Sequence, residues 1–318
     1  MYKPNDASFS NANIMLTRHC PCDVKTSGGT CPYTDHNSDI PCANEYPHLT
    51  LYYDVITTSA ATKLWLTDYS GNYGEILIDD ETFINTKQPY TYAMHTFDTI
   101  GIHKVKLYNE KAGFGTIVKN WFSGCYRLVK IEVPETVTQF DYHSFLSCIN
   151  LESISLKRPI TYLGDSAFNG CSKLTDFGYS PVILKMVNID ANNAMKGCGI
   201  EDVVVSGLTS FSGQHLFENC KKLKRCVFKE CSFSGFGWNS FNGCTALETI
   251  VVDCLTPPSI NAISTIFSGV PGTFYVPKES YDLYKNATNW NTFYQQGRLK
   301  TIEEYKKQRK IHPDTWRD

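Results

Sequence analysis

One phrase recurs along the second half of this 318-residue chain and limits what it can fold into. Phe122, Cys125, Leu128, Ile131 and Val133 set the pattern Phe-x-x-Cys-x-x-Leu-x-x-Ile-x-Val. It returns as Phe145, Cys148, Leu151, Ile154, Leu156, and then as Phe168, Cys171, Leu174, Phe177, Tyr179. Later copies read Phe217, Cys220, Leu223, Cys226, Phe228 and Phe241, Cys244, Leu247, Ile250, Val252. A shortened copy runs Met195, Cys198, Ile200, Val203, Val205, and a half-copy is Phe267, Phe274, Val276. Successive Phe positions lie 23, 23, 27, 22, 24 and 26 residues apart. A period in the low twenties specifies a solenoid, because no unit can bury its own apolar face and neighbours must share one core. Such stacks commonly serve as binding surfaces.

Within each copy, Leu-x-x-Ile-x-Val ends in an alternation of period two, which predicts a short strand with Leu247, Ile250 and Val252 inward in the fifth full copy. Asn169-Gly170 and Asn242-Gly243 are turn residues between the Phe and Cys. Phe140, Leu163 and Phe236 place a second apolar anchor ahead of the repeat Phe.

These words resemble the BspA-type leucine-rich repeat: "GDSAFNGCSKLTDF", "NSFNGCTALETIVV" and "FSGCYRLVKIEVPETV" carry its core, and Val133-Pro134 its strand-ending proline. "GTFYVPKESYDLYKNATNW" resembles the terminal unit of that family, in which a strand and a helix close the stack. The resemblance covers about residues 113–297 and departs from the pattern at Met195–Val205. It implies a non-catalytic domain of the kind found on surfaces of gut and oral bacteria and in some parasites, implicated in adhesion to host proteins or other cells.

Residues 48–112 read differently. "HLTLYYDVI", "TKLWLTD", "GEILID", "YTYAMHTF" and "IHKVKLYN" are short alternating runs divided by turn residues, which predict a small antiparallel β-sandwich. Gly101–Leu107 resembles the last strand of the immunoglobulin-like modules that precede such repeats. The expected fold is therefore mainly β: an irregular segment at 1–47, a sandwich at 48–112, a leucine-rich-repeat solenoid at 113–277, and a helical cap and tail at 278–318.

Thirteen cysteines divide into groups. Cys125, Cys148, Cys171, Cys198, Cys220 and Cys244 hold the repeat register and are expected as a buried, reduced ladder of small hydrophobes. Cys20, Cys22, Cys31 and Cys42 lie within 23 polar residues, with His19 and His36 among them. A structural zinc site there would supply folding energy that the segment lacks. Two disulfides or unlinked thiols are the other readings.

The net charge of −2 excludes a nucleic-acid binder driven by charge. No apolar stretch approaches the roughly 18 residues of a membrane span. The N-terminus lacks the apolar core of a signal peptide, so a trimmed leader, an intracellular protein or a virion protein released by lysis would each fit. No phosphate loop, nucleophile elbow or HExxH motif is present. His143 and His215 fall in turns and read as surface groups, and Asp79-Asp80-Glu81 reads equally as a turn or a calcium site. Asn286-Ala287-Thr288 matches a glycosylation sequon.

Strand alternation also predicts the outward residues. One row is Glu132, Ser155, Gly178, Val204, Val227, Val251 and Tyr275; its neighbour is Lys130, Ser153, Asp176, Asp202, Arg225, Thr249 and Thr273. The first row turns apolar along the chain, and four adjacent apolar side chains form a patch that a soluble monomer avoids exposing. Val204, Val227, Val251 and Tyr275 are thus expected at a protein interface. Cover by the tail, residues 298–318, is one alternative, and ordinary exposed strand valines are the other. The leading expectation of function is adhesion-type recognition of a protein or glycan at an extracellular surface. The second is a structural virion component of a phage of gut bacteria, contacting neighbouring subunits. An enzyme built around the Cys/His cluster is the third.

Overall fold

A computed structural model describes residues 48–59, 62–65, 74–79, 81–83, 92–109 and 115–309. The described residues form two compact units, one of those up to 115 with 128–136, the other of 116–127 with 137–309.

The described strands of the first unit are antiparallel. β1 (His48–Val55), β2 (Thr62–Trp65), β3 (Gly74–Ile78), β4 (Glu81–Phe83), β5 (Tyr92–His95) and β6 (Gly101–Asn109) follow one another in sequence. β1 pairs along its whole length with β6, which pairs with β3, which pairs with β4, while β2 and β5 form a separate pair. Alternation sorts the faces: Leu49, Leu51, Tyr53, Val55, Val105 and Leu107 are buried, whereas Lys104 is exposed. The free edge of β1 takes β8 (Leu128–Glu132), the strand of the first repeat, in antiparallel register with Leu51 opposite Ile131.

The second unit is the solenoid. Most turns contribute a two-residue strand, a tight turn carrying the repeat Phe and Cys, and a longer strand; ahead of Phe241 the short strand is reduced to a single bridge, Gly235 to Ser259. The short strands β7 (Thr116–Ile117), β9 (Gln139–Phe140) and β11 (Tyr162–Leu163) stack in parallel. β10 (Ser153–Ser155) is the second copy's longer strand. β12 (Val182–Lys185), β14 (Asp202–Ser206), β16 (Arg225–Lys229), β17 (Thr249–Val252) and β18 (Thr273–Val276) form a parallel sheet; β13 (Asn188–Ile189) and β15 (Ser210–Phe211) pair on the short-strand side.

The repeat Phe residues make the core. Phe122 stacks on Phe145 at 5.1 Å, Phe145 on Phe168 at 5.5 Å, and Phe241 on Phe267 at 5.5 Å between centroids. Met195 interrupts the series and is itself fully buried. Burying one such ring stabilises the fold by about 2–3 kcal/mol.

The residues two before and two after each Phe-position residue adopt left-handed backbone: Asn120 and Gly124, His143 and Ser147, Ser166 and Gly170, Asn193 and Gly197, His215 and Asn219, Asn239 and Gly243, with φ between 53° and 81°. Asn, Gly and His tolerate this conformation better than branched residues do, which accounts for both turn histidines.

One expectation is corrected in the third copy. The strand was expected to run through Phe177 and Tyr179, with Gly178 outward. Gly178 instead has φ +82°, and a Cβ there would lie 2.6 Å from the Leu156 carbonyl oxygen. The strand stops at a single bridge, Ser153 to Asp176, and resumes as β12. Leu184 takes the inward place, Ile183 the outward one beside Val204, and Tyr179 is only half-buried.

The C-terminal cap begins after a short helix, α1 (Ile263–Ile266), and β18. It holds α2 (Tyr281–Asn286), α3 (Trp290–Gln295), β19 (Leu299–Thr301) and α4 (Ile302–Arg309). Phe293 stacks on Phe274 at 4.1 Å, Trp290 Nε1 donates to the Pro258 carbonyl at 2.7 Å, and Tyr284 donates to the Cys254 carbonyl at 2.8 Å. β19 extends the sheet beside β18. Its remaining polar groups are partly closed, since Tyr281 donates to the Leu299 carbonyl and Glu304 accepts the Thr301 N–H at 2.7 Å. Partial closure of the terminal edge makes it a poorer template for pairing with another chain. No helix among the described residues is long and apolar enough to cross a membrane.

Candidate recognition surface

The structure places Val204, Val227, Val251 and Tyr275 side by side on the outer face of the parallel sheet, in the register the alternation predicts. Their exposure is 4%, 1%, 0% and 6%. α4 lies on them, and its Ile302 and Tyr305 complete the buried cluster. The expected exposed interface is therefore corrected: this patch is an internal contact, made by the tail. The reason is connectivity, since β19 pairs parallel to β18 and hands the chain directly to that face at Thr301.

Polar contacts rim the apolar one. The Tyr275 and Tyr305 rings are 5.0 Å apart, and the Tyr275 hydroxyl donates to Gln308 Oε1 at 3.0 Å. Arg225 grips Asp202 from Nε at 2.8 and 2.9 Å and donates from Nη1 to the Tyr305 hydroxyl at 3.1 Å. Thr301 and Glu304 form a reciprocal capping box that starts α4.

A second row remains open. Three positions before each repeat Phe, or before Met195, stand Lys119, Tyr142, Asp165, Asn192, Gln214 and Trp238. Backbone hydrogen bonds join the turns one to the next. The N–H groups of Asn120, His143, Ser166, Asn193 and His215 donate to the carbonyls of Tyr142, Asp165, Asn192, Gln214 and Trp238, at 2.7 to 2.9 Å. These six side chains consequently form one line, a residue per turn. Several are held in place: Asp165 Oδ1 accepts the Asn192 N–H at 2.8 Å, and Asn192 Oδ1 accepts the Gln214 N–H at 3.0 Å. The Tyr142 ring stacks on His143 at 3.6 Å, with the Lys119 ammonium 5.0 Å from its centroid. Trp238 is 46% and Tyr142 37% exposed. Burial lowers the affinity of His143 for a proton despite nearby Asp165, which favours a neutral imidazole against Tyr142.

The sequence contained the signal for this row, a constant offset of three from the repeat Phe. The residues at that offset share no chemical type, so composition does not mark them as a row.

The register cysteines are all buried and form no disulfides with one another. Cys148, Cys171, Cys220 and Cys244 each donate S–H to the Phe-position carbonyl of the preceding turn, at 2.9 to 3.1 Å. At the longest unit the contact shifts, with Cys198 reaching the Leu174 carbonyl at 3.8 Å. Burial pushes the Cys198 and Cys244 thiols up to about 12, so they stay protonated and unreactive.

Cys20, Cys22, Cys31 and Cys42 lie outside the described residues. Asp79 is taken by His103 Nδ1 at 2.5 Å and the Lys104 N–H at 2.9 Å. Among the described residues no three His, Cys, Asp or Glu side chains come together as a metal site. Asn286 sits exposed at the end of α2, its Nδ2 donating to the Asp282 carbonyl.

A stack of short parallel strands closed by a strand-and-helix cap defines the class: a leucine-rich-repeat solenoid. The profile described as BspA type leucine rich repeat region matches in six copies over residues 90–223 and 180–269, and the chain belongs to that family. No curated protein matches the chain. Among solved structures, one similar chain is a leucine rich cell surface protein from Faecalibacterium prausnitzii, 22% identical with a TM-score of 0.31. That match covers 49% of this chain and 46% of the other, so it spans less than half of the relative's length.

Proposed function

We propose that the chain is a non-catalytic recognition and adhesion module that acts at an extracellular surface and binds protein or glycan through its solenoid. The observation that carries this reading is the open row of one polar or aromatic side chain per turn, fixed by backbone hydrogen bonds between turns. Membership of a repeat family whose units hold a fold while exchanging exposed residues supports it. The sheet face under α4 is not the binding face, because Val204, Val227, Val251 and Tyr275 are already packed. Fluorescently labelled full-length chain should bind saturably to at least one of intact epithelial cells, bacterial cells or immobilised extracellular-matrix proteins. Absence of saturable binding to all three would overturn the reading.

A further inference from the structure

We infer that the row Tyr142–Asp165–Asn192–Gln214–Trp238 is a binding track for an extended, uncharged pyranose polymer; this rests on the recognition role just proposed. Adjacent turns joined by backbone hydrogen bonds repeat at about 4.8 Å. A pyranose ring in an extended chain advances by nearly the same distance, so each sugar meets one side chain.

The chemistry of the row fits hydroxyl groups. The Tyr142 hydroxyl, Asp165 Oδ2, Asn192 Nδ2, the Gln214 side-chain amide and Trp238 Nε1 have no hydrogen-bond partner among the described residues. They alternate donors and acceptors along the line. Asp165 and Asn192 are pinned because the Oδ1 of each accepts a backbone N–H of the next turn, so little side-chain entropy is lost on binding. On one side the row is bordered by Gly164, Ala191, Gly213 and Gly237, all buried. At Gly213 a Cβ would sit 2.4 Å from the Ala191 carbonyl oxygen, so stacking itself keeps that border free of any side chain larger than a methyl group.

A protein partner fits less well. Protein interfaces centre on a desolvated apolar core, whereas the centre of this row is Asp165, Asn192 and Gln214, with aromatics toward its ends. Charge narrows the glycan class. Beside the row, partial burial and the nearby Asp141, Asp190 and Asp165 carboxylates raise the pKa of the Tyr162 hydroxyl. The row's own carboxylate, Asp165, stands near its centre and repels uronate and sulfate groups, while Lys119 lies beyond Tyr142 at the row's end with its ammonium over that ring, so neutral sugars fit the track best.

Calorimetric titration of the full chain with cellohexaose, chitohexaose and hexagalacturonate tests the inference. At least one neutral hexasaccharide should bind with a Kd below about 1 mM. Its trisaccharide should bind at least tenfold more weakly, and hexagalacturonate should not bind. Trp238→Ala and Tyr142→Ala should each weaken binding about tenfold with an unchanged melting temperature. No neutral binding, equal affinity for the trisaccharide, preference for the uronate, or two variants that bind like the parent would each overturn it. Cell or matrix binding that Trp238→Ala abolishes, without any oligosaccharide binding, would sink the glycan track and leave the recognition role standing. Failure of both assays would remove both.

Discussion

Val251 and Gln214 both point outward from turns of the same stack, yet one is sealed and the other is in water. Val251 belongs to a row of four apolar side chains, and α4 brings Ile302 and Tyr305 to close over it. Gln214 belongs to a row of polar and aromatic groups that nothing within the solenoid covers. The difference shows how a repeat protein divides its surface. Apolar area left in water costs roughly 25 cal/mol per Å², so a contiguous apolar row is stable only under a cover. A polar row needs none, because its backbone groups pair between turns and its side chains bond water. The sealed row contributes stability; the open row is free to contribute recognition.

Breaking the seal should give the largest effect. Val251→Lys places a charge under Ile302 and Tyr305 and should cost about 3 kcal/mol or more, or expel α4. Urea unfolding together with limited proteolysis after Thr301 would show either result. An unchanged midpoint with α4 still protected would mean that the row is not sealed. Tyr305→Ala removes the ring against Tyr275 and the hydroxyl that accepts from Arg225, and should cost about 2–4 kcal/mol. It should also promote self-association through the uncovered valines, which size-exclusion chromatography would register.

Cys220→Ala tests the core behind both rows. It deletes a buried thiol and its 3.0 Å contact to the Met195 carbonyl, for about 1–2 kcal/mol. Before unfolding, the register thiols should resist an aromatic disulfide reagent; fast labelling of the native protein would contradict their burial.

Near the open row the effects should be small. Glu218 is partly buried, which alone would raise its pKa, but hydrogen bonds from Lys196 and His215 outweigh that and hold it below the usual carboxylate value. A lowered pKa stabilises the fold above the unfolded carboxylate value, and the gain is lost as pH falls through the folded one. Glu218→Gln should therefore flatten the acid limb of the stability curve below about pH 4.5, by under about 1 kcal/mol. Trp238→Ala should change stability by no more than about 0.5 kcal/mol. A larger loss would show the open row to be structural.

The repeat core was legible because a strict period leaves inward residues little choice. Phe122, Cys148, Leu174, Ile250 and Val252, all expected inside, are 3% exposed or less. Even the degenerate copy at Met195 keeps its place in the stack. The third strand was misplaced because the pattern continues through Phe177 and Tyr179 in sequence, while Gly178 turns the backbone away. The four outward apolar residues were legible as a patch, with the tail one of several readings of what covers it.

By itself the sequence determined the repeat, the inward register and the alternation of faces, since these follow from period and local stereochemistry. It also held the polar row as a constant offset from each Phe. Only the tertiary structure decided which outward row is covered. That depends on β19 pairing beside β18 and delivering α4 across the sheet, a contact between residues about 30 to 100 positions apart in the chain, which no local pattern encodes.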